Sequence, residues 1–282
     1  MKVVRSTGAE LEVVDRIREM VRLASGLDKN VNLTEEAIER ALQCLSRFGE
    51  RLRDIPGSQV RVVGTNTLRR AGNAREFMER ARQALGHHIE IIGGQEEARL
   101  VYLGVSHSVR RIDGRMLVVD IGGGSTELII GEGYQPRHLE SLFIGCVSLS
   151  IKYFRDGVIT RKSMQKAITA ARLHMEPMEK AYRRIGWELA TGSSGTIRTI
   201  AKVVVGQGWS DDGITPESLE SLRAALVKAG NTDALELKGL NKDRTPVFPG
   251  GVAALIAVFE GLKIKRMWAS EGALREGLLY DL

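Results

Sequence analysis

Apolar and polar positions along the chain alternate between a helical spacing and a strand-like spacing, which predicts an α/β protein. After Thr34, a residue type that caps helix N-termini, apolar residues recur at helical spacing. In this first third, helices are predicted at 34–52, 73–85 and 96–106, and short strands at 10–14, 17–23, 60–63 and 89–92. Because strands and helices follow one another in turn, the sheet should be partly parallel.

The same alternation continues to the C-terminus. Two strands flank a glycine turn within 116–131, and further strands are predicted at 138–143, 188–190 and 267–269. Helices are predicted at 215–228 and 250–262, after 269, and in a long region from 160, where Pro177 should kink or divide the helix. We place the boundary between two α/β halves near the loop 110–115, which gives domains 1–105 and 106–282.

The sequence VVDIGGGSTELII, from Val118 to Ile130, carries the strongest chemical signal. Asp120 ends a strand at the mouth of the turn, where a carboxylate can hold Mg²⁺ directly or through water. The three glycines 122–124 lack Cβ atoms and open φ > 0, so their N–H groups can converge on a phosphate. Ser125 adds a hydroxyl donor. The alternative is a glycine-rich hairpin without a ligand, but an ordinary two-residue hairpin needs fewer glycines.

Small polar residues also follow three other predicted strands. These segments are Gly64-Thr65-Asn66, Gly192-Ser193-Ser194-Gly195 and Ser270-Glu271-Gly272. Helix N-termini follow most of these turns, and their unpaired N–H groups and dipole favour anions. A single turn of this kind is equally consistent with a helix cap, but several at strand ends predict a shared phosphate site. Arg69 should grip phosphate through its guanidinium fork, whereas Arg70 should be solvated.

Glu96 and Glu97 open a predicted helix after the turn Gly93-Gly94-Gln95. We interpret Glu96 as an acid that favours the first turn of a helix. Glu97 is a candidate for chemistry, because phosphoanhydride hydrolysis needs an aligned water and charge neutralisation. A carboxylate beside a metal and an arginine can orient or deprotonate that water. The five histidines share no ligand spacing and are expected at the surface or its boundary.

The amino-acid composition limits the classes of binding partner and the cellular compartment that are expected. The net charge of +6 without a basic-aromatic stripe favours a small polyanionic substrate over nucleic acid. The polar first residues do not form a signal peptide, and no apolar run approaches a membrane span, so we expect no stable membrane insertion. Cys44 and Cys146 are predicted to be reduced, buried thiols in a cytoplasmic protein. The oligomeric state stays open, and a homodimer is one alternative.

Six ordered motifs resemble the exopolyphosphatase / guanosine pentaphosphate phosphohydrolase (Ppx/GppA) family. The motifs are Gly64-Thr-Asn-Thr-Leu-Arg69, Gln95-Glu-Glu97-Ala-Arg-Leu, Val119-Asp-Ile-Gly-Gly-Gly-Ser-Thr-Glu127, Gly145-Cys-Val-Ser148, Gly192-Ser-Ser-Gly195-Thr and Glu271-Gly-Ala-Leu-Arg-Glu-Gly277. The resemblance covers essentially the whole chain. It implies an α/β, acetate and sugar kinase/actin-like fold, in which two ribonuclease H-like domains surround a phosphate-binding cleft.

The resemblance also implies residue roles. Glu97 would be the catalytic general base, and Asp120 and Glu127 would hold Mg²⁺. Arg69 would bind substrate phosphates. The remaining residues expected to bind substrate are Thr65, Asn66, Gly122, Gly123, Gly124, Ser125, Gly192, Ser193, Ser194 and Gly195.

Two features depart from the family pattern. Members open with a strand and a first phosphate loop of the type Asp-x-Gly-Ser-Asn-Ser, which is not found in this sequence, and the sequence ends soon after Gly277. We therefore expect a short two-domain form whose first domain lacks its first strand and phosphate loop, through a late start codon or a true truncation. Such a chain should be poorly soluble or weakly active, because a sheet edge would be left unpaired.

Three functions are compatible with these observations. The leading one is a Mg²⁺-dependent phosphohydrolase that releases terminal phosphate from inorganic polyphosphate, with conversion of guanosine pentaphosphate to tetraphosphate as a further activity. The alternative is a catalytically impaired polyphosphate- or nucleotide-binding sensor, to which the missing loop gives weight. A kinase with the same fold is less favoured, because no acceptor pocket can be identified.

Overall fold

The computed structural model describes residues 1–7, 10–109 and 114–282, and the chain forms two compact units. The first comprises Met1–Gly93 with Leu282, and the second Gly94–Asp281. The division thus precedes helix α4 (Gly94–Ser106), whereas the boundary was predicted after residue 105. The physical reason is that α4 packs on the sheet and the last helix of the second unit. Within the loop 110–115, residues 110–113 lie outside the described part of the chain.

The strands of the first unit form two separate pairs. β1 (Lys2–Thr7) pairs antiparallel with β2 (Glu10–Arg16), and β3 (Val63–Gly64) pairs parallel with β4 (Glu90–Ile91). The strand predicted at 17–23 is wrong, since that segment is irregular and leads into a 3-10 turn. Its apolar side chains do not line one buried face, and Met20 is exposed.

The described residues of the first unit also include three α-helices. They are α1 (Glu35–Leu52), α2 (Asn66–Arg70) and α3 (Ala74–Leu85). The predicted cap of α1 is confirmed, because the Thr34 hydroxyl accepts a hydrogen bond from the N–H of Ala37 at 3.4 Å. The apolar stripe of α1 packs against α3 in a small core. The short α2 starts directly after β3, so the candidate phosphate loop of this unit lies at the end of β3.

A five-stranded sheet forms the centre of the second unit. Its strands are β5 (Arg115–Ile121), β6 (Thr126–Glu132), β7 (Gln135–Leu142), β8 (Leu189–Ser193) and β9 (Trp268–Ala269). The order is β7-β6-β5-β8-β9, with β5, β6 and β7 antiparallel and β5, β8 and β9 parallel. The carboxyl ends of β5, β8 and β9 therefore meet at one edge of the sheet, which brings their three loops together.

Helices cover both faces of this sheet. Besides α4 they are α5 (Cys146–Tyr153), α6 (Arg161–Ile185), α7 (Ser194–Gly206), α8 (Pro216–Ala229), α9 (Phe248–Leu262) and α10 (Leu274–Tyr280). One face carries the large core with α6, α7 and α9, and the other packs on α4. The helix α5 was not predicted, although the motif that begins it was noted. Where α4 crosses α10, a Cβ on Gly277 would lie 1.8 Å from the carbonyl oxygen of Leu100.

Two expectations about helices are corrected. Pro177 does not divide α6, which is continuous from Arg161 to Ile185. Pro177 and Leu173 are exposed, so water can satisfy the carbonyl that the proline leaves without a donor, and buried residues on the opposite face hold the helix. One stretch, Lys242–Leu262, is long and apolar enough by composition to cross a membrane, contrary to the expectation that no run comes close. Most of this stretch is buried within the fold, as in the core helix of a globular domain.

Candidate functional site

Two carboxylates and a serine lie side by side on three adjacent strands of the second unit. The strand register pairs Asp120 on β5 with Glu127 on β6 and with Ser193 on β8. Alternation along the strands places all three on the face that packs against α4, because Val118 and Ile129 of that face cluster with apolar residues of α4. Asp120 and Glu127 are both buried. The local sequence thus puts two acids where the strands end.

Glu97 comes from the helix above the same face. It lies in the first turn of α4, four residues before Val101, which packs on the sheet, so both residues share one side of the helix. Glu97 is only 8 % exposed. Its neighbour Glu96 instead forms a bidentate ion pair with Arg99 at 2.8 Å, as expected for a residue that stabilises the helix. The structure therefore brings Glu97 and not Glu96 to the acidic pair.

The three carboxylates influence one another electrostatically. The pKa of Asp120 is raised to about 6, mainly by burial and also by the charge of Glu97, while a hydrogen bond with Ser193 and the charge of Arg198 oppose the rise. Burial also raises the pKa of Glu127 well above its ordinary value, with added repulsion from Glu97 and Asp120. A hydrogen bond of 2.9 Å from the Ser141 hydroxyl to Glu127 counteracts part of this effect. Such a cluster of crowded acids is typical of a site that binds a cation or moves a proton.

The turn between β5 and β6 is the predicted strand–turn–strand. Its three glycines, however, serve a different structural purpose from the one expected. None of Gly122, Gly123 and Gly124 has a φ in the left-handed region, which corrects the expectation of positive φ. Their carbonyls instead accept hydrogen bonds from the first N–H groups of α5: Cys146 donates to Gly122 at 2.9 Å and Val147 to Gly123 at 2.9 Å. Ser125 is buried, its carbonyl accepts from Gly122, and its hydroxyl bonds Glu127.

The loop after β8 carries backbone strain beside the same acids. Ser194 adopts a φ of 84°, a region that residues with a Cβ rarely occupy. Its hydroxyl accepts from the N–H groups of Thr196 at 3.2 Å and Ile197 at 3.3 Å. The single proton of the Ser193 hydroxyl is shared between Asp120 and the carbonyl of Gly272, which lies 3.1 Å away, so this loop is tied to the loop after β9. Strain of this kind is often found at binding and catalytic sites.

Two arginines reach these loops and were missed from the sequence. Arg198 of α7 exerts its charge on Asp120 and donates to Glu271 at 3.1 Å. Arg244 lies over Gly195, where an added Cβ would sit 1.9 Å from the guanidinium. The sequence holds a signal for Arg198, since it follows Gly195 by three residues in a helix and must share its face. Arg244 comes from a distant segment, and no local pattern marks it.

The predicted phosphate loop of the first unit contains three candidate residues. Thr65 occupies the N-cap position of α2 without a capping hydrogen bond from its side chain, Asn66 is the first residue of the helix, and Arg69 follows one turn later. The Arg69 guanidinium donates to the carbonyl of Ile92 at 2.8 Å, which fixes it within this unit. Asn66 is 5 % exposed. Its amide nitrogen has no hydrogen-bond partner in the described part of the chain, as expected of a donor reserved for a ligand. Arg70 is exposed, as predicted.

The residues present suit a hard cation that is bound partly by substrate. Among the described residues, no group of three or more His, Cys, Asp or Glu side chains is arranged to hold a metal ion. Mg²⁺ commonly takes only one or two carboxylates and completes its shell with water and substrate phosphates. The pair Asp120 and Glu127, in which burial and then the charges of Glu97 and Asp120 raise the pKa of Glu127, matches that mode. None of the five histidines is buried, and both cysteines are free and buried, as predicted.

Comparison with known sequences is consistent with this geometry. Residues 2–282 match the family described as the Ppx/GppA phosphatase family. The chain is 44 % identical over its full length to a guanosine-5'-triphosphate,3'-diphosphate pyrophosphatase of Vibrio cholerae serotype O1, and 44 % identical to the protein of the same name from Aliivibrio fischeri. It spans 56 % of the length of both relatives.

Solved structures with the same fold support the predicted α/β, actin-like class. An exopolyphosphatase-like protein is 27 % identical and has a TM-score of 0.86, with coverage of 99 % of this chain and 94 % of that one. An exopolyphosphatase from Cytophaga hutchinsonii is 24 % identical, with a TM-score of 0.86 and coverage of 99 % and 92 %. The Aquifex aeolicus PPX-GPPA enzyme, at 24 % identity and a TM-score of 0.80, covers 100 % of this chain with 94 % of its own. The predicted fold is therefore confirmed.

Proposed function

This chain belongs to the Ppx/GppA phosphatase family, and we propose that it is a phosphohydrolase that removes the terminal phosphate of guanosine pentaphosphate. The observation that carries the proposal is the cluster of Glu97, Asp120 and Glu127 at the carboxyl edge of a parallel sheet region, beside two loops of small residues. Ligands of open α/β sheets bind at this edge. The relatives named guanosine-5'-triphosphate,3'-diphosphate pyrophosphatase, at 44 % identity, support this substrate.

In the proposed reaction Glu97 activates the attacking water. A general base must lie within hydrogen-bond reach of the water it deprotonates, and Glu97 projects from the first turn of α4 toward the acidic pair. The phosphoryl group that leaves the substrate forms no covalent bond with the protein, so positioning and charge stabilisation provide the catalysis. Glu97 accepts the proton of the water as the water oxygen attacks the terminal phosphorus. The bond from that phosphorus to the bridging oxygen breaks, its electron pair stays on guanosine tetraphosphate as the leaving group, and the attacked phosphoryl group becomes inorganic phosphate.

Asp120 and Glu127 are the residues that would hold Mg²⁺. When bound, Mg²⁺ neutralises the negative charge of the substrate phosphates and of the developing transition state. The hydroxyls of Ser193 and Ser141 orient the two carboxylates through the hydrogen bonds described above. In the absence of a cation, the same burial and repulsion favour protonated acids.

Substrate phosphates are proposed to contact the loops and the arginines. In the second unit, Gly122–Ser125 and Gly192–Gly195 present small residues beside Asp120, and Arg244 lies over Gly195. The loop of the first unit is a separate proposed anion-binding element, in which the Arg69 guanidinium is held by the carbonyl of Ile92 and the buried Asn66 amide lies next to Thr65. Guanidinium groups suit phosphate because their parallel N–H bonds match two phosphate oxygens.

Inorganic polyphosphate is a second candidate substrate. It shares the phosphoanhydride bond with guanosine pentaphosphate, and the similar structures include proteins named exopolyphosphatase or exopolyphosphatase-like. The net charge of +6 suits either polyanion. A binding protein without activity is not favoured, because the family and the relatives are named as phosphatases or pyrophosphatases. We also propose a cytoplasmic location, where such nucleotides are found, and a homodimer as the assembly to be tested.

Phosphate release tests the proposal. The purified chain would be incubated with guanosine pentaphosphate and, separately, with long-chain polyphosphate, each in Mg²⁺ and in excess EDTA. We expect Mg²⁺-dependent release of one phosphate per pentaphosphate, with tetraphosphate as the nucleotide product. Release from polyphosphate alone would move the assignment to the second substrate. The absence of release from either would contradict a phosphohydrolase.

A further inference from the structure

Arg198 lies between a buried carboxylate and an exposed one. Its positive charge acts on Asp120, and its Nη1 donates to Glu271 at 3.1 Å. The side chain of Arg198 is 16 % exposed, whereas that of Glu271 is 85 % exposed. The cation is thus held in place by its surroundings, while the carboxylate that pairs with it can turn into solvent.

The backbone fixes this arrangement. Arg198 follows Ser194 by four residues and Gly195 by three in α7, so it lies on the helix face that carries the strained loop. Glu271 belongs to the loop after β9, which is tied to β8 by a hydrogen bond of 2.8 Å from the N–H of Ser270 to the carbonyl of Gly192. The two charges therefore come from neighbouring loops at the same sheet edge.

We propose that Arg198 is a substrate-binding residue whose guanidinium is occupied by Glu271 until a phosphate of the substrate replaces that carboxylate. Ion pairs with one exposed partner contribute little stability, so the exchange is easy. A phosphate accepts bidentate, charge-assisted bonds from a guanidinium and carries more charge than one carboxylate. Before substrate binds, Glu271 keeps Arg198 beside Asp120. Because an anion must displace Glu271 to reach Arg198, highly charged phosphates bind in preference to weakly charged anions. The inference rests on the proposed function, since it takes substrate phosphate as the ligand.

Opposite signs of two substitutions distinguish this role from a structural ion pair. Arg198→Ala should weaken phosphate binding by about 10–100-fold, the equivalent of a lost hydrogen bond between charged groups. Arg198→Lys should recover part of the loss, because the charge returns without the fork. Glu271→Gln should strengthen binding by up to about fivefold, since the competing carboxylate is gone. A purely structural pair would weaken binding in both variants and lower both melting temperatures.

Calorimetry with a methylene-bridged triphosphonate, which cannot be hydrolysed, measures these affinities in Mg²⁺ without turnover. Arg223→Ala and Glu220→Gln are matched controls, because these residues form an ion pair of 2.8 Å on the surface of α8. Neither control should change binding. Melting temperatures of all variants separate a loss of fold from a loss of binding.

The outcomes separate this inference from the proposed function. Unchanged triphosphonate binding in Arg198→Ala, or weaker binding in Glu271→Gln, would overturn the role of Arg198 even if the wild-type chain hydrolyses guanosine pentaphosphate. If Arg198→Ala weakens and Glu271→Gln strengthens triphosphonate binding, but the wild-type chain releases no phosphate, the role of Arg198 is supported while the proposed activity fails. A wild-type chain that binds no triphosphonate would overturn the role of Arg198, whereas the proposed activity would still be decided by phosphate release from guanosine pentaphosphate.

Discussion

Buried carboxylates should lower the free energy of unfolding of the metal-free protein, and Asp120→Asn should remove part of this destabilisation. Burial raises the pKa of Asp120 from 3.8 to about 6. In the unfolded chain the carboxyl loses its proton near pH 3.8, whereas in the folded chain it keeps the proton up to about pH 6. At this group the folded state therefore binds more protons in this window, so the contribution of Asp120 to the free energy of unfolding falls as pH rises from about 4 to 6.

The magnitude follows from the same values. Each pH unit between the two pKa values costs about 1.4 kcal/mol, so an ionised Asp120 costs the fold about 3 kcal/mol above pH 6. Asparagine has nearly the same shape, keeps an oxygen that can accept from Ser193, and carries no charge. We expect Asp120→Asn to stabilise the metal-free chain by roughly 1–3 kcal/mol at pH 8 and by nearly nothing at pH 4, where the wild-type carboxyl is protonated.

Urea unfolding followed by circular dichroism in excess EDTA, at pH 4, 6 and 8, measures this difference. Asp211→Asn serves as the matched control, because Asp211 is exposed, and it should leave stability unchanged at every pH. Addition of Mg²⁺ should stabilise the wild-type chain and not Asp120→Asn, since ligand binding to the folded state raises its stability. A stability difference between Asp120→Asn and the wild-type chain that does not grow from pH 4 to 8 in EDTA would refute the reasoning, as would an Asp120→Asn variant that is equally destabilised at all three values.

Three further predictions address binding and packing. Arg69→Ala should weaken polyphosphate binding, measured by calorimetry, by about tenfold or more, and Arg69→Lys should restore only part of it. Arg70→Ala should have no effect on binding. The reverse pattern would assign the role to Arg70. Gly195→Ala should displace the Arg244 guanidinium, which lies 1.9 Å from the added Cβ, and should therefore raise KM clearly. Tm should stay unchanged, because the end of an arginine side chain can move. An unchanged KM would contradict a role for Arg244. Gly277→Ala should lower Tm by several degrees, because the added Cβ would lie 1.8 Å from the backbone of α4. Overpacking of this kind costs about 1–3 kcal/mol. A wild-type Tm would show that the two helices can separate.

Local patterns in the sequence predicted the parts of the fold that depend on neighbouring residues. The strand–turn–strand around Asp120, the cap at Thr34 and the separation of Glu96 from Glu97 all follow from short spacings, and the structure places these residues as expected. The fold class was also predicted, since six ordered motifs identify it. Residue roles at the site stay predictions, to be tested by the substitutions described here.

Features that depend on distant parts of the chain were not predicted. The order β5-β8-β9 brings Arg198 to Asp120, and neither residue lies in a pattern that reveals the other. The domain boundary was placed too late because α4, although it follows the first unit in sequence, packs on the sheet of the second. Pro177 was expected to kink or divide its helix, but solvent exposure makes it tolerable. Tertiary packing decides the first two features, and solvent exposure decides the third.

The activity of Glu97→Gln tests the central claim, that a buried carboxylate on α4 activates water for phosphoanhydride hydrolysis. Initial rates of phosphate release from guanosine pentaphosphate would be measured in saturating Mg²⁺ for the wild-type chain, Glu97→Gln and the neighbouring control Glu96→Gln. Glu97→Gln should lower kcat by about 10²–10⁴-fold with KM nearly unchanged, while Glu96→Gln should keep the wild-type kcat. Hydrolysis by Glu97→Gln at the wild-type rate would contradict the account.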